Sequence, residues 1–238
     1  MIGFLRYVSS FIVYMSWYGG KVLFSALTGV KQRPGGIYDT AARRWAQGML
    51  RGTGITVRVE GRERLLGPEP KVYIANHASF VDIWAILAEF PGTIRFVYKK
   101  SMDWIPLMGQ AMRAARHIPM DRRKLSASFA AYDEAAKFVR DEHSSAVVFP
   151  EGTRSLDGRL QTFKKGPFVL AIAAGAPVVP VYCENTWALM PRGSWSPKPG
   201  VVTLRIGEPI PTAGLDVDGR DGLAKQARAA LLAMGARE

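Results

Sequence analysis

A single cysteine, Cys183, stands among 238 residues, so the chain holds no internal disulfide and no cysteine-based metal cluster, which fits a reducing cytoplasm. Histidine is nearly as scarce. His77, His117 and His143 are scattered and would leave a zinc site short of ligands, so neither a metal nor a cofactor is expected. Acidic residues are almost missing from the first quarter of the chain. Before Glu60 the one acid, Asp39, faces eight cations: Arg6, Lys21, Lys31, Arg33, Arg43, Arg44, Arg51 and Arg58. The whole chain carries a formal charge of +12, a balance that seeks a polyanion. The aromatic and aliphatic residues interleaved with these cations favour an anionic membrane surface over nucleic acid, so no nucleic-acid partner is expected. Internal repeats and low-complexity stretches are absent. With 48% hydrophobic residues, a chain of this length suits one well-packed domain with an appended segment, and is too short to suggest two enzymatic domains.

Charge is also absent from Tyr7 to Gly20, and a second apolar stretch, 22–30, follows Lys21; the block is about long enough to cross a bilayer. A secretory signal peptide fits poorly, because Arg6 alone is a weak basic start and no small-residue cleavage site precedes the basic region. A spanning helix fits the length. The favoured reading is an interfacial or partly inserted pair of helices, broken at Gly19-Gly20-Lys21, with the amphipathic segment 38–50 lying flat at the headgroups. A buried core helix is the bland alternative. Residues 1–52 are therefore assigned to a membrane-associating segment and 53–238 to a catalytic domain, with the basic flank holding that domain at the cytoplasmic face of the inner membrane, whether peripheral, monotopic or single-pass.

From Thr56 the pattern changes to short β-branched runs separated by helical stretches, the alternation of an α/β domain. Strands are expected at 56–60, 72–75, 94–98, 117–120, 146–149, 178–183 and 201–206. A helix is expected over 125–141, where Leu125, Phe129, Tyr132, Ala136 and Val139 form one apolar stripe, and a second packing helix over 219–234.

Two constellations carry chemistry. Asn76-His77-Ala78-Ser79-Phe80-Val81-Asp82 follows the apolar run 72–75, at a strand's carboxyl end, where open α/β sheets bind ligands. A helical turn would bring Asp82 back to the His77 ring, fixing its tautomer and leaving Nε2 free to take a proton from an alcohol. The same spacing also reads as a helix cap, with Ser79 capping and Asp82 complementing the dipole, and spacing alone does not separate the two. Phe149-Pro150-Glu151-Gly152-Thr153-Arg154-Ser155 also follows an apolar run. Here Arg154 suits a phosphate, since a planar guanidinium gives two hydrogen bonds to phosphate oxygens. A surface turn with an internal Glu151–Arg154 ion pair is the plain alternative. The two loops would be adjacent if their strands neighbour in the sheet.

Together the two blocks resemble the glycerolipid acyltransferases of the 1-acylglycerol-3-phosphate acyltransferase type, over about residues 56–208. Ile118-Pro119-Met120-Asp121-Arg122 matches that family's central arginine block, with Pro119-Met120 where an aromatic or aliphatic pair is usual, and 176–181 matches its proline-valine block; the pair Lys99-Lys100 also stands where the family commonly has it. The resemblance implies a mixed, mostly parallel α/β sheet flanked by helices. It implies His77 and Asp82 as a catalytic dyad. Glu151, Gly152 and Thr153 would shape the acceptor site, while Lys100, Arg122 and Arg154 hold phosphate. The donor would be acyl-CoA or acyl carrier protein and the acceptor lysophosphatidic acid, whose sn-2 hydroxyl gives up its proton to His77 Nε2 to yield phosphatidic acid. Backbone N–H groups around the turn 76–79 are the expected donors to the tetrahedral oxyanion. Three rivals are kept: a relative acting on another lysolipid or hydroxyl acceptor, a hydrolase using Ser79 without a Gly-x-Ser-x-Gly elbow, and a non-catalytic basic membrane-binding module. The stretch Trp187 to Trp195, with Met190, Pro191 and Arg192, reads as a loop covering the core and is left out of the site.

Overall fold

A computed structural model describes residues 2–121 and 125–238, with side chains described outside 122–130. In chain order the elements are α1 (Ile2–Tyr14), a π turn (Met15–Gly19), α2 (Gly20–Leu27), α3 (Ile37–Thr53), β1 (Ile55–Glu60), β2 (Val72–Ala75), α4 (Val81–Glu89), β3 (Ile94–Lys99), α5 (Met108–Ala114), β4 (Ile118–Met120), α6 (Leu125–Asp141), β5 (Ser145–Val148), α7 (Gly166–Ala174), β6 (Val178–Glu184), α8 (Thr186–Leu189), β7 (Gly200–Ile206) and α9 (Arg220–Ala233). The seven strands lie within a residue or two of the runs expected from β-branched patterning. They form one sheet in the order β1-β7-β6-β2-β5-β3-β4. Every pairing is parallel except β6 with β7, so the sheet is mixed and mostly parallel.

Alternation along the strands feeds two cores. Tyr73 and Ala75 point into one, with Phe96, Val147 and Val179, while Val72 and Ile74 point into the other, with Ala146, Val148 and Val178. Central strands buried on both faces are what parallel sheets require. Ala131, Ala135 and Val139 of α6 and Leu223 and Ala227 of α9 cover the second core, as expected of the two amphipathic helices; Leu125 and Phe129 lie outside the residues with described side chains.

The front of the chain departs from expectation. The Gly19-Gly20 pair does not break the helix: Gly20 keeps helical angles (φ −59°, ψ −43°), and the path runs on through the π turn. At Gly19 a Cβ would meet Met15 Sδ at 3.1 Å and Leu107 Cγ at 3.2 Å, so the small residue serves a close approach, and packing overrides its poor propensity. Nor does α3 lie free as a surface helix. Tyr38, Ala41, Ala46, Met49 and Leu50 are buried, and Ala46, Met49 and Leu50 share the first core with Tyr7 of α1. Gly48 permits this, since a Cβ there would sit 2.5 Å from the Tyr14 ring. Among the described residues no helix is long and apolar enough to cross a membrane. Even so, α1, the π turn and α2 expose Ile2, Leu5, Ile12, Val13, Trp17, Phe24 and Leu27.

A buried ion pair ties α3 to the sheet. Arg95 Nη1 of β3 donates to Asp39 Oδ1 at 2.6 Å, both side chains being almost fully enclosed. Thr93 Oγ1 (2.6 Å) and the Gly35 N–H (2.9 Å) donate to Asp39 Oδ2, and Arg95 Nη2 donates to Gln32 Oε1 at 3.0 Å. Removing one member strands a charge in the core. Asp39→Ala is therefore expected to lower the free energy of unfolding by about 3–5 kcal/mol in urea denaturation; a loss below about 1 kcal/mol would show that the pair holds nothing together.

Candidate active site

In the sheet β2 and β5 are neighbours, paired Val72 with Ala146 and Ile74 with Val148, so the segments leaving their carboxyl ends are brought side by side. Those segments carry His77 and the Phe149–Ser155 block. They are stitched together through the main chain of His77 itself: its N–H donates to Glu151 Oε1 at 2.7 Å, and its carbonyl accepts from the Ser155 N–H at 2.8 Å. Asn76 locks the other side. Its side-chain amide exchanges hydrogen bonds with the main chain of Cys183 on β6, at 2.7 and 3.3 Å, extending the strand pairing by one residue.

The His77 ring is placed by two further contacts. Nδ1 lies 2.8 Å from Asp82 Oδ2, at the first turn of α4. Since a carboxylate only accepts, Nδ1 carries a hydrogen, and in the neutral ring Nε2 is therefore the bare nitrogen. The ring stacks on Phe149 (3.9 Å between centroids, 16° between planes). Asp82 is wholly buried, and its Oδ2 also accepts the Ala78 and Ser79 N–H groups at 2.9 Å each. Capping and orientation of the histidine are thus one arrangement, not rivals.

One expectation and one rival reading fail on these bonds. The N–H groups of His77, Ala78 and Ser79 are all committed to carboxylates, so these three do not form an oxyanion hole. Ser79 is fully buried; its hydroxyl donates to the Met190 carbonyl at 2.7 Å and accepts from the Val81 N–H at 3.1 Å, which removes it as a nucleophile.

His77 opens onto a cavity of about 380 Å³. Its inner walls are mostly apolar: Val22, Ala41, Ile83, Trp84, Leu87, Met108 and Met112, drawn from α2, α3, α4 and α5. Thr153, Arg154, Arg192 and Lys99 line it together with His77 and Phe80. Arg154 lies over the Phe80 ring at 4.0 Å, and burial, then Arg192 beside it, pushes its pKa down. Among the described residues no carboxylate lines this space.

The predicted site residues separate into groups. His77, Thr153 and Arg154 meet in the cavity, and Asp82 stands behind the histidine. Gly152 (φ +74°) makes the turn that returns the chain toward it. Glu151 is buried and faces away from substrate space, its second oxygen accepting the Gln161 N–H at 3.0 Å, so it buttresses the histidine loop and forms no ion pair with Arg154. Burial raises its pKa to about 7. Lys100, itself exposed, begins a 3-10 turn and is not among the cavity residues, whereas Lys99 is. Arg122 lies outside the described residues. Arg192, read from sequence as part of a covering loop, belongs to the cavity, and so do the N-terminal helices. Nothing in the run Met190-Pro191-Arg192-Gly193 has the periodicity that would have marked it.

His117 lines the same cavity as a neutral ring. Its Nδ1 accepts the Phe96 N–H at 3.0 Å, and burial, with Arg95 near, pushes its pKa down to about 3.

A family model described as Acyltransferase matches residues 56–184. Over 173 residues the chain is 36% identical to a 1-acyl-sn-glycerol-3-phosphate acyltransferase of Limnanthes douglasii, covering 72% of this chain and 60% of that one. It is 30% identical over 179 residues to the human 1-acyl-sn-glycerol-3-phosphate acyltransferase alpha, covering 75% and 63%. The chain thus spans about 60% of the length of these curated relatives. Among solved structures, the 1-acyl-sn-glycerophosphate (LPA) acyltransferase PlsC of Thermotoga maritima superposes with a TM-score of 0.80 at 28% identity, over 99% of this chain and 96% of that one.

His117 and Glu151 act oppositely on stability. At pH values below 6.5 the unfolded chain protonates His117 while the folded ring refuses the proton, so stability is lost as pH falls toward 3. Glu151, held at about 7 against an ordinary 4.5, takes up a proton in the folded state first, so its contribution grows as pH falls from 7 to 4.5. His117→Asn should remove only the first effect. Relative to the unaltered protein, the variant is expected to gain about 2 kcal/mol between pH 6.5 and 4.5 in urea denaturation, somewhat under the full linkage because the residue is not fully enclosed. Identical pH dependence in the two proteins would refute the neutral-ring assignment.

Proposed function

We propose that this chain, which belongs to the acyltransferase family, transfers a fatty acyl group from a thioester donor, acyl-CoA or acyl carrier protein, to the sn-2 hydroxyl of 1-acyl-sn-glycerol 3-phosphate, giving phosphatidic acid. The observation that carries the reading is the Asp82–His77 pair at the wall of a largely apolar cavity whose charged lining is cationic. An alcohol at that wall meets a bare Nε2. As its oxygen attacks the thioester carbonyl, Nε2 takes the proton, and the imidazolium so formed is stabilised by Asp82. Collapse of the tetrahedral intermediate breaks the carbon–sulfur bond, and the imidazolium returns its proton to the departing thiolate. No covalent acyl-enzyme is needed. With the turn N–H groups committed elsewhere, the developing oxyanion draws on side-chain donors lining the cavity, Thr153 Oγ among them. The apolar walls accept hydrocarbon, each buried methylene contributing about 0.8 kcal/mol, and Arg154 holds the phosphate so that the hydroxyl stands at the histidine.

The same reading puts the protein on the cytoplasmic face of the inner membrane, with α1 and α2 in the interface. Its support is the row of exposed apolar residues from Ile2 to Leu27 together with the cations around them. It also takes residues 1–52 as the membrane-associating unit.

His77→Ala is expected to lower kcat by about 10²–10⁴-fold, the range for a lost general base, in mixed micelles containing a thioester donor and lysophosphatidic acid, with binding to anionic vesicles intact. Ser79→Ala should cost stability but keep turnover within about tenfold of the unaltered enzyme. Abolished turnover in a folded Ser79→Ala protein, or an acyl group trapped on Ser79, would overturn the direct-transfer mechanism.

A further inference from the structure

Three cations line the cavity, Lys99, Arg154 and Arg192, and among the described residues none of them is in an ion pair. Guanidiniums held together repel one another, and the Asp82 carboxylate and the Phe80 ring under Arg154 offset that repulsion only in part, since Arg192 acts on Arg154 more strongly than Asp82 does. Their placement is nonetheless tightly built. Arg192 Nη1 donates to the carbonyl of Arg154 at 3.1 Å, so one arginine braces the main chain of the other. Each is tied to the catalytic loop at a point nearby. Ser155, next to Arg154, donates its N–H to the His77 carbonyl, and Met190, two residues before Arg192, is fully buried and accepts the Ser79 hydroxyl. The two guanidiniums are therefore indexed to the same turn that carries the base.

From this geometry we propose that Arg192 is the second jaw of the phosphate clamp and that, with Arg154, it makes the site selective for a phosphate monoester dianion over a phosphodiester. The inference rests on the lysophosphatidate reading above and deepens it. A monoester carries a charge of about −1.5 to −2 at pH 7 and presents three terminal oxygens, enough for two arginine forks; a diester has one charge and two free oxygens, enough for one. Lys99 adds a point charge without a fixed orientation.

The test uses the full chain and two non-reacting probes in neutral detergent micelles, a single-chain alkyl phosphate and its methyl ester. Binding is followed by tryptophan fluorescence, and kcat and KM are measured separately with lysophosphatidic acid. The unaltered protein is expected to bind the phosphate at least about tenfold more tightly than the methyl ester. Arg192→Gln should weaken phosphate binding by about 10–100-fold and bring the two probes to near equality, with the kinetic loss in KM and not in kcat. Arg192→Lys, which keeps the charge and loses the fork, should fall between. An Arg192→Gln protein that folds and keeps the full preference for the phosphate, or that loses kcat at unchanged KM, overturns the proposal. If the phosphate preference depends on Arg192 but lysophosphatidic acid is not acylated, the clamp stands and the proposed reaction falls.

Discussion

Two buried carboxylates grip one short turn from opposite sides, and the rest of the site depends on that grip. Asp82 reaches back from the start of α4 to take the His77 ring and two main-chain N–H groups, while Glu151 reaches across from the next strand's loop to take the main-chain N–H of His77. A histidine on an unsupported loop would sample several rotamers and both tautomers. Held in this way, with Phe149 stacked on one face, it presents a single nitrogen to the cavity. The carboxylates differ in what they do. Asp82 acts on the ring, and Glu151 acts on the chain that carries it.

The grip is a consequence of strand order. Because β2 and β5 are adjacent and parallel, both loops emerge at the same end of the sheet, and hydrogen bonds between them come at little cost in further ordering. The helices before β1 then wall the space in front of the histidine. A sheet buried on both faces leaves no room for an apolar chain inside the domain, so the cavity forms between α2, α3, α4 and α5, at the side of the molecule where exposed apolar residues collect. Polarity is distributed to match: neutral His117 and hydrocarbon line much of the space, and unpaired cations join them beside His77.

Much of this was legible in the sequence. Seven short β-branched runs named the seven strands, since central strands of a parallel sheet bury both faces and show it as continuous apolar runs. The 3.6-residue stripes named α6 and α9. His77, Asp82, Thr153 and Arg154 stood out because turn residues at strand ends carry little packing information, and unusual chemistry shows there. What was hidden depends on distance in space. Glu151 and Arg154 look like an ion pair in sequence, yet Glu151 turns away to the His77 main chain. Lys99 and Lys100 are indistinguishable as neighbours, and only the end of β3 decides which faces the cavity. The Gly19-Gly20 pair reads as a break until Leu107, far along the chain, is seen packing against it. Arg192 lies in a loop whose composition says only that it is irregular.

Proton transfer at this site depends on the tautomer of one imidazole, and ¹⁵N NMR of the ring nitrogens in a histidine-labelled sample near neutral pH reads it directly. His77 is predicted to carry its hydrogen on Nδ1, bonded to Asp82, with Nε2 showing the shift of an unprotonated nitrogen. A spectrum that assigns the hydrogen of neutral His77 to Nε2 would contradict the account at its root.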